Sequence, residues 1–399
     1  MSAVSGPKPG HKLVLLACAL ACVVIVLGAF TRLVDAGLGC PDWPTCYGHL
    51  WVPNEAHEIA EANAKFVGTP VETHKTWPEQ IHRIFASSLG LLGIGILILS
   101  IRRRDAGHPW RSIVFLLGLL VAATVTRARV GHAMDPVLVL LVFIYFANLA
   151  VLAKKFAVSF SPLKLPAFIA GFLVLQGLFG MWTVTLKVWP QVVTVHLLGG
   201  FTMVNLLWLL SLRLGNNPWQ LSASEAAKLA SLKTFALVAL LVVIVQVALG
   251  GWTASNYAAV ACPDFPTCQG QWWPPTDFTD AFNFSQHIGP NYLGGQLDNN
   301  ARVTIHLMHR IGALITTGVL LVLIFGGLSV ARSVRARRQF WIVAAVLLLQ
   351  LALGVGNVVL HFPLHVTVTH NAVGALLLLT MVTLNYRLRT AVINAGEIR

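Results

Sequence analysis

The sequence predicts an all-α polytopic membrane protein: two tandem four-helix bundles related by an internal parallel repeat, with a helical hairpin inserted in the first half. Three observations carry this prediction. The 399 residues are 56% hydrophobic and only 11% charged, with a mean hydropathy of +0.73, where a soluble domain carries about a quarter charged residues. Several apolar runs reach the roughly 20 residues that a helix needs to cross a bilayer. A set of short motifs occurs twice, in the same order.

About ten transmembrane segments are expected, starting near Lys12, Glu79, Arg111, Pro136, Pro166, Gln191, Lys233, Val303, Gln339 and His365. The first run, about Leu13 to Phe30, lacks a small-residue cleavage site and reads as a retained helix rather than a signal peptide. Basic residues gather in alternate loops: Arg102, Arg103, Arg104 and Arg111, then Lys154, Lys155 and Lys164, then Arg213, Lys228 and Lys233, then Arg332 to Arg338, with Arg387 and Arg389 in the tail. The intervening loops carry Asp35, Asp42, Glu72, Asp264 and Asp298. This bias places both termini in the cytoplasm. It also accounts for the net charge of +13 without a nucleic-acid partner. One loop departs from the rule, because Arg127 and Arg129 fall on the outer side. The third and fourth segments therefore read either as a spanning pair or as a re-entrant one. Two outer loops, about Asp35 to Pro78 and Ala254 to Arg302, are long enough to form folded caps.

The repeat is explicit. Cys40-Pro41-Asp42-Trp43-Pro44-Thr45-Cys46 returns as Cys262-Pro263-Asp264-Phe265-Pro266-Thr267-Cys268. Glu79-x-x-His82-Arg83 answers to His306-x-x-His309-Arg310, Gln176 and Gly180 to Gln350 and Gly354, and the turn before His196 to the turn before His370. The orientation is the same in both copies, so the repeat is parallel. His82 and His196 are 114 residues apart, His309 and His370 only 61. The excess corresponds to an inserted hairpin at about 103–163. The halves are then 1–215 and 216–399.

Cys18 and Cys22 lie inside the first helix and read as packing residues. Cys40, Cys46, Cys262 and Cys268 form two C-x5-C pairs on the outer face, suited to small disulfide loops in an oxidising compartment. A shared zinc site is the rival reading.

His82, His196, His309 and His370 each fall in the first turns of a helix entering from the outer side, so they share one depth. Two facing imidazoles in a bundle core suit bis-histidine haem iron. The rival readings are polar residues satisfied by neighbouring helices, or a separate metal site in the second half with His306 as a third nitrogen. Glu79 stands where the second half has His306. A carboxylate one turn from an iron ligand can move a proton or stabilise a cation; it can also simply complement the helix dipole. The asymmetry suggests that the first bundle does chemistry and the second holds a permanent cofactor. Arg83 and Arg310 read either as anchors for haem propionates or as residues snorkelling to headgroups.

The chain resembles the haem A synthase family. The resemblance rests on T-R-L-V-D-A-G-L-G-C-P-D-W-P-T-C at Thr31 to Cys46, E-x-x-H-R at Glu79 to Arg83, and G-M-W-T-V-T-L-K at Gly180 to Lys187. It continues with V-V-T-V-H-L-L-G-G at Val192 to Gly200, H-x-x-H-R at His306 to Arg310, and V-T-V-T-H-N at Val366 to Asn371. It implies a bacterial inner-membrane enzyme that oxidises a methyl group of haem O to the formyl group of haem A for cytochrome oxidase assembly. His82 and His196 would face the substrate haem O. His309 and His370, with Arg310 nearby, would bind haem b, and Glu79 would be the catalytic carboxylate. Cys40 and Cys46 would be the periplasmic pair linked to redox state or stability. The resemblance further implies delivery of haem O by haem O synthase and an electron partner that the sequence does not name. The family usually has eight helices, so the inserted segment is a departure. Two other functions fit the residues alone: a di-haem b-type electron carrier, and a haem transporter or chaperone.

Overall fold

The computed structural model describes residues 6–102, 110–157 and 161–393. Arg103, Arg104, the side chain of Arg129 and the outermost ends of the inserted segment lie outside the described residues. In chain order the helices are α1 (His11–Leu33), α2 (Ala56–Lys65), α3 (Thr73–Arg102), α4 (Trp110–Val130), α5 (Asp135–Lys155), α6 (Ser161–Thr185) and α7 (Pro190–Gly215). They continue as α8 (Ala223–Ala230), α9 (Lys233–Ser255), α10 (Phe278–Ala281), α11 (Asn299–Val330), α12 (Val334–Val359) and α13 (Leu364–Thr390). Strands β1 (Gln220–Leu221) and β2 (Val392–Ile393) pair in parallel.

Ten of these helices are long and apolar enough to cross a membrane: all but α2, α8 and α10. They are apolar around most of their circumference, as membrane helices are. Leu91, Phe115, Phe143, Leu314 and Phe325 point outward. A bilayer accommodates such a surface at no cost, whereas water would drive it to aggregate.

Several helices begin earlier than the apolar runs do. α3 starts at Thr73, six residues before Glu79. The Glu72 carbonyl accepts from the amides of Lys75 (2.8 Å) and Thr76 (3.1 Å), and Lys75 pairs with the Glu72 carboxylate at 2.7 Å. These contacts close the leading turn ahead of Pro78, which lies inside the helix and supplies no amide to its hydrogen-bond ladder. α12 starts at Val334, where the Ser333 hydroxyl accepts from Ala336 N. Polar first turns lie beyond the apolar run and are invisible to a hydropathy count.

The chain falls into two compact units. One comprises residues 9–188 and 202–211. In it α1 packs on α3 and α3 on α6, and α4 and α5 form a hairpin packed on α6. Tyr145 of α5 is fully buried, its hydroxyl donating to Ala167 O at 2.8 Å. Its ring fills the groove at Gly171, where any side chain would collide with it. Ile113, Leu120, Leu149 and Leu163 complete this core. α4 and α5 have 21 residues each, about 30 Å at 1.5 Å per residue, which is enough to span. Arg127 is buried at the end of α4, with Nε 3.0 Å from Asp135 Oδ1 and Nη2 3.0 Å from His132 Nδ1. Its charge is met inside the hairpin, which removes its conflict with the charge rule.

The other unit comprises residues 6–8, 189–201 and 212–393 among those described. Here α9 packs on α11, α11 on α12, α12 on α13 and α13 on α9, closing a ring of four helices. The short α8 rests on α11 and α13. Its buried Glu225 accepts from the amides of Arg332 (2.8 Å) and Ser333 (2.9 Å) at the entrance to α12.

The repeat extends to the backbone. Left-handed φ angles recur at matched positions: 53° at Asp35 and at Tyr257, 54° at Tyr47 and at Gln269, 51° and 52° at Lys187 and Val188 against 60° and 57° at His361 and Phe362. For side chains other than glycine this region is sparsely populated, so coincidence at four paired positions in three turns marks a common architecture.

Candidate functional site

Both C-x5-C pairs are closed as disulfides, Cys40–Cys46 and Cys262–Cys268. The zinc reading is thereby excluded, since a thiolate already oxidised cannot ligate. Inside each loop an aspartate accepts hydrogen bonds from a threonine hydroxyl and two backbone amides. Asp42 holds Thr45, Tyr47 N (2.6 Å) and Gly48 N (2.9 Å). Asp264 holds Thr267, Gln269 N and Gly270 N (3.0 Å). The Thr267 hydroxyl and these amides hold the Asp264 carboxyl below the usual carboxylate range.

An arginine clamps each loop to the helix beneath it. Arg83 donates from Nη1 to Asp42 O and Thr45 O, both at 2.8 Å, and its Nη2 lies 3.5 Å from Cys40 O. Arg310 donates from Nη1 to Thr267 O (2.7 Å) and from Nη2 to Cys262 O (3.1 Å) and Asp264 O (2.9 Å). The three carbonyls are the same in both copies. A planar fork with five donors suits this task. The terminal nitrogens of both arginines are thus engaged with the loops, a use that the sequence reading did not foresee. The loop motif lies within the duplicated stretch, and its carbonyls carry no side-chain signal.

Glu79 is buried and fully engaged. Oε1 accepts from Arg83 Nη2, and Oε2 accepts from the Cys40 amide at 2.9 Å. His306, its counterpart, is equally buried but turns to the backbone at Ala258 and Ala259, and its Nδ1 has no partner. The exchange of an acceptor for a donor between the copies therefore redirects the side chain from the disulfide loop to the end of the preceding helix.

The histidines are half-buried, and His82, His309 and His370 are each backed by a glycine of a neighbouring helix. A Cβ at Gly28 would stand 2.9 Å from His82 Cε1, one at Gly250 3.1 Å from His309 Cε1, and one at Gly354 3.2 Å from His370 Cε1. Gly28 and Gly250 occupy matched positions twelve residues before the first cysteine of each loop, a regularity that sequence comparison of the halves could have found. His309 and His370 lie in one unit, within electrostatic reach of each other. Gln246 of α9 places Nε2 3.1 Å from His309 Nδ1 and donates to His309 O at 3.0 Å. Gln350 Nε2 lies 3.4 Å from His370 Nε2. Buried and without partners are Gln246 Oε1, Gln350 Oε1 and His370 Nδ1. His82 lies on α3 in the unit of residues 9–188, and His196 lies on the part of α7 grouped with the other unit. Among the described residues no three His, Cys, Asp or Glu side chains are grouped to hold a metal ion. His361 and His365 are exposed.

Residues 11–135 and 132–382 match the family COX15-CtaA, described as cytochrome oxidase assembly protein. The chain belongs to this family. The two matched stretches meet at the turn of the α4–α5 hairpin. Among its relatives, the Heme A synthase of Shewanella oneidensis is 41% identical over 364 residues, covering 91% of this chain and 92% of that protein. The Heme A synthase of Rhizorhabdus wittichii is 25% identical over 94% of this chain and 93% of its own length. That of Nitrosospira multiformis is 25% identical over 96% and 94%. As a COX15-CtaA member with ten apolar helices, the chain is an integral membrane protein.

Proposed function

We propose that this chain is a haem A synthase, an oxidoreductase that converts the methyl group of haem O to the formyl group of haem A for cytochrome oxidase assembly. The observation that carries the reading is the exchange of Glu79 for His306 within an otherwise faithful repeat, in a chain aligned almost end to end with relatives of that name. A pure electron carrier has no use for a carboxylate in one copy only.

The residues of the second half suit haem. His309 and His370 are in one bundle, glycines clear space at both ring edges, and buried ring and amide atoms there await partners. Haem b bound at this place supplies one-electron redox chemistry. His309 and His370 would hold its iron with Arg310 nearby, and Arg310 also holds the outer loop closed. In the first half His82 meets the substrate haem O, and the repeat register gives His196, the counterpart of His370, the same partner. Glu79 stands one turn from His82 with its charge stabilised by Arg83, placed to hold a cation or accept a proton. Each half of the duplicated chain, 1–215 and 216–399, thus takes one role. The loop charges place both termini in the cytoplasm and the disulfide loops in the periplasm of a bacterial inner membrane. Haem O synthase, which makes the substrate, is the expected donor.

The test is to express the protein in membranes supplied with haem O and to identify the extracted haems by chromatography and mass. Haem b together with haem A or a hydroxylated intermediate is expected. Haem b alone, with haem O unaltered, would overturn the reading in favour of an electron carrier.

A further inference from the structure

The two halves differ at one linked pair of positions beside the first histidine of each. Gln246 on α9 and Gly312 on α11 in the second half correspond to Val24 on α1 and Phe85 on α3 in the first. The pair works as a unit. A Cβ at Gly312 would collide with Gln246 Oε1, so the missing side chain is what lets the amide reach across to α11. There the amide meets both His309 Nδ1 and His309 O. A buried amide oxygen without a partner inside an apolar helix is costly. In the first half Val24 has no side chain that can reach the ring as Gln246 does, and His82 contacts the Val24 backbone instead.

We infer that Gln246, admitted by the notch at Gly312, is the positioning residue for His309. This rests on the reading of His309 as an iron ligand. An imidazole that binds iron through Nε2 carries its proton on Nδ1 and needs an acceptor for it. A half-turn about the terminal torsion of Gln246 exchanges the amide nitrogen for the oxygen and presents Oε1 to Nδ1–H, giving up the bond to His309 O. The side chain therefore serves both states of the ring, as donor before iron is bound and as acceptor afterwards. Accepting that proton makes the imidazole a stronger donor to iron, which favours the ferric state.

The test uses the full-length protein purified with its haem, in the variants Gln246→Val, Gly312→Ala and Gln246→Glu. Readouts are the midpoint potential, the low-spin ferric EPR spectrum and the rate of haem loss to an apoprotein trap. Gln246→Val should raise the potential, shift the EPR spectrum and speed haem loss about tenfold. Gly312→Ala, which displaces the amide without removing it and improves helix propensity, should do the same in a fully folded protein. Gln246→Glu, an acceptor only, should restore retention and lower the potential. Wild-type spectra and potential in Gln246→Val, or in Gly312→Ala if the first variant does not fold, would overturn the inference. Haem retained in His309→Ala would instead overturn the ligand assignment beneath it.

Discussion

Arg83 donates to Glu79 one helical turn earlier on α3, and both side chains bind the loop closed by Cys40 and Cys46. The carboxylate of the first half is thus coupled to a disulfide loop. Its counterpart His306 has no such link to the loop carbonyl clamp, which Arg310 maintains alone.

Replacing Glu79 by Gln should leave the fold intact, because Arg83 keeps three carbonyl partners and the amide oxygen can still accept from Cys40 N. Product formation should fall about a hundredfold, the scale of a lost acid–base group, with haem b content unchanged. Chromatography of extracted haems checks this. Wild-type amounts of haem A would remove Glu79 from the chemistry.

Arg310→Lys keeps the charge but cannot span three carbonyls. The loss of charge-assisted hydrogen bonds should cost about 2 kcal/mol. It should appear as a lower unfolding temperature in detergent and faster reduction of Cys262–Cys268 by a water-soluble thiol. Unchanged reduction kinetics would mean that the clamp contributes nothing to loop closure.

The depressed Asp264 carboxyl gives the second loop a pH dependence. A group whose folded value lies below its unfolded one stabilises fully above the unfolded value, near 3.9, and that stabilisation is lost as pH falls through the folded value. Loop protection against reduction by an acid-tolerant phosphine should therefore weaken below about pH 4. In Asp264→Asn the profile should be flat and uniformly weaker. Parallel profiles for the two proteins would assign the acid response to another group.

The glycines behind the histidines should separate the two sites. Gly354→Val presses on His370 and should lower bound haem b about tenfold. Gly28→Val presses on His82 and should leave haem b in place while haem A production falls. Optical spectra of purified protein measure the first effect and haem extraction the second. Equal haem b loss in both variants would show that the pressure acts on the fold as a whole.

Much of this was legible in the amino-acid order. The ten helices follow from bilayer thickness, which imposes run length on any sequence, and the repeat follows from residues that appear twice. The disulfides were legible from spacing and position. The inserted hairpin was ambiguous because Arg127 offended the charge rule; its neutralising partners Asp135 and His132 become neighbours only when the chain turns at Gly131–Met134. The loop contacts of the two arginines were not legible, because their partners are main-chain carbonyls and leave no mark on composition. Gln246 passed as one polar residue in an apolar run, and its meaning depends on a missing side chain on another helix.

The clamp at Arg310 also fixes a depth. From Arg310 to Val330, α11 rises through about 20 residues, or about 30 Å, the full thickness of the hydrocarbon layer. His309 therefore lies at a boundary of the lipid and not at its centre. On the reading proposed for His309, a redox partner approaching from the aqueous phase on that side would meet the site without entering the membrane, whereas one docking on the opposite face would have the whole bilayer between it and the site.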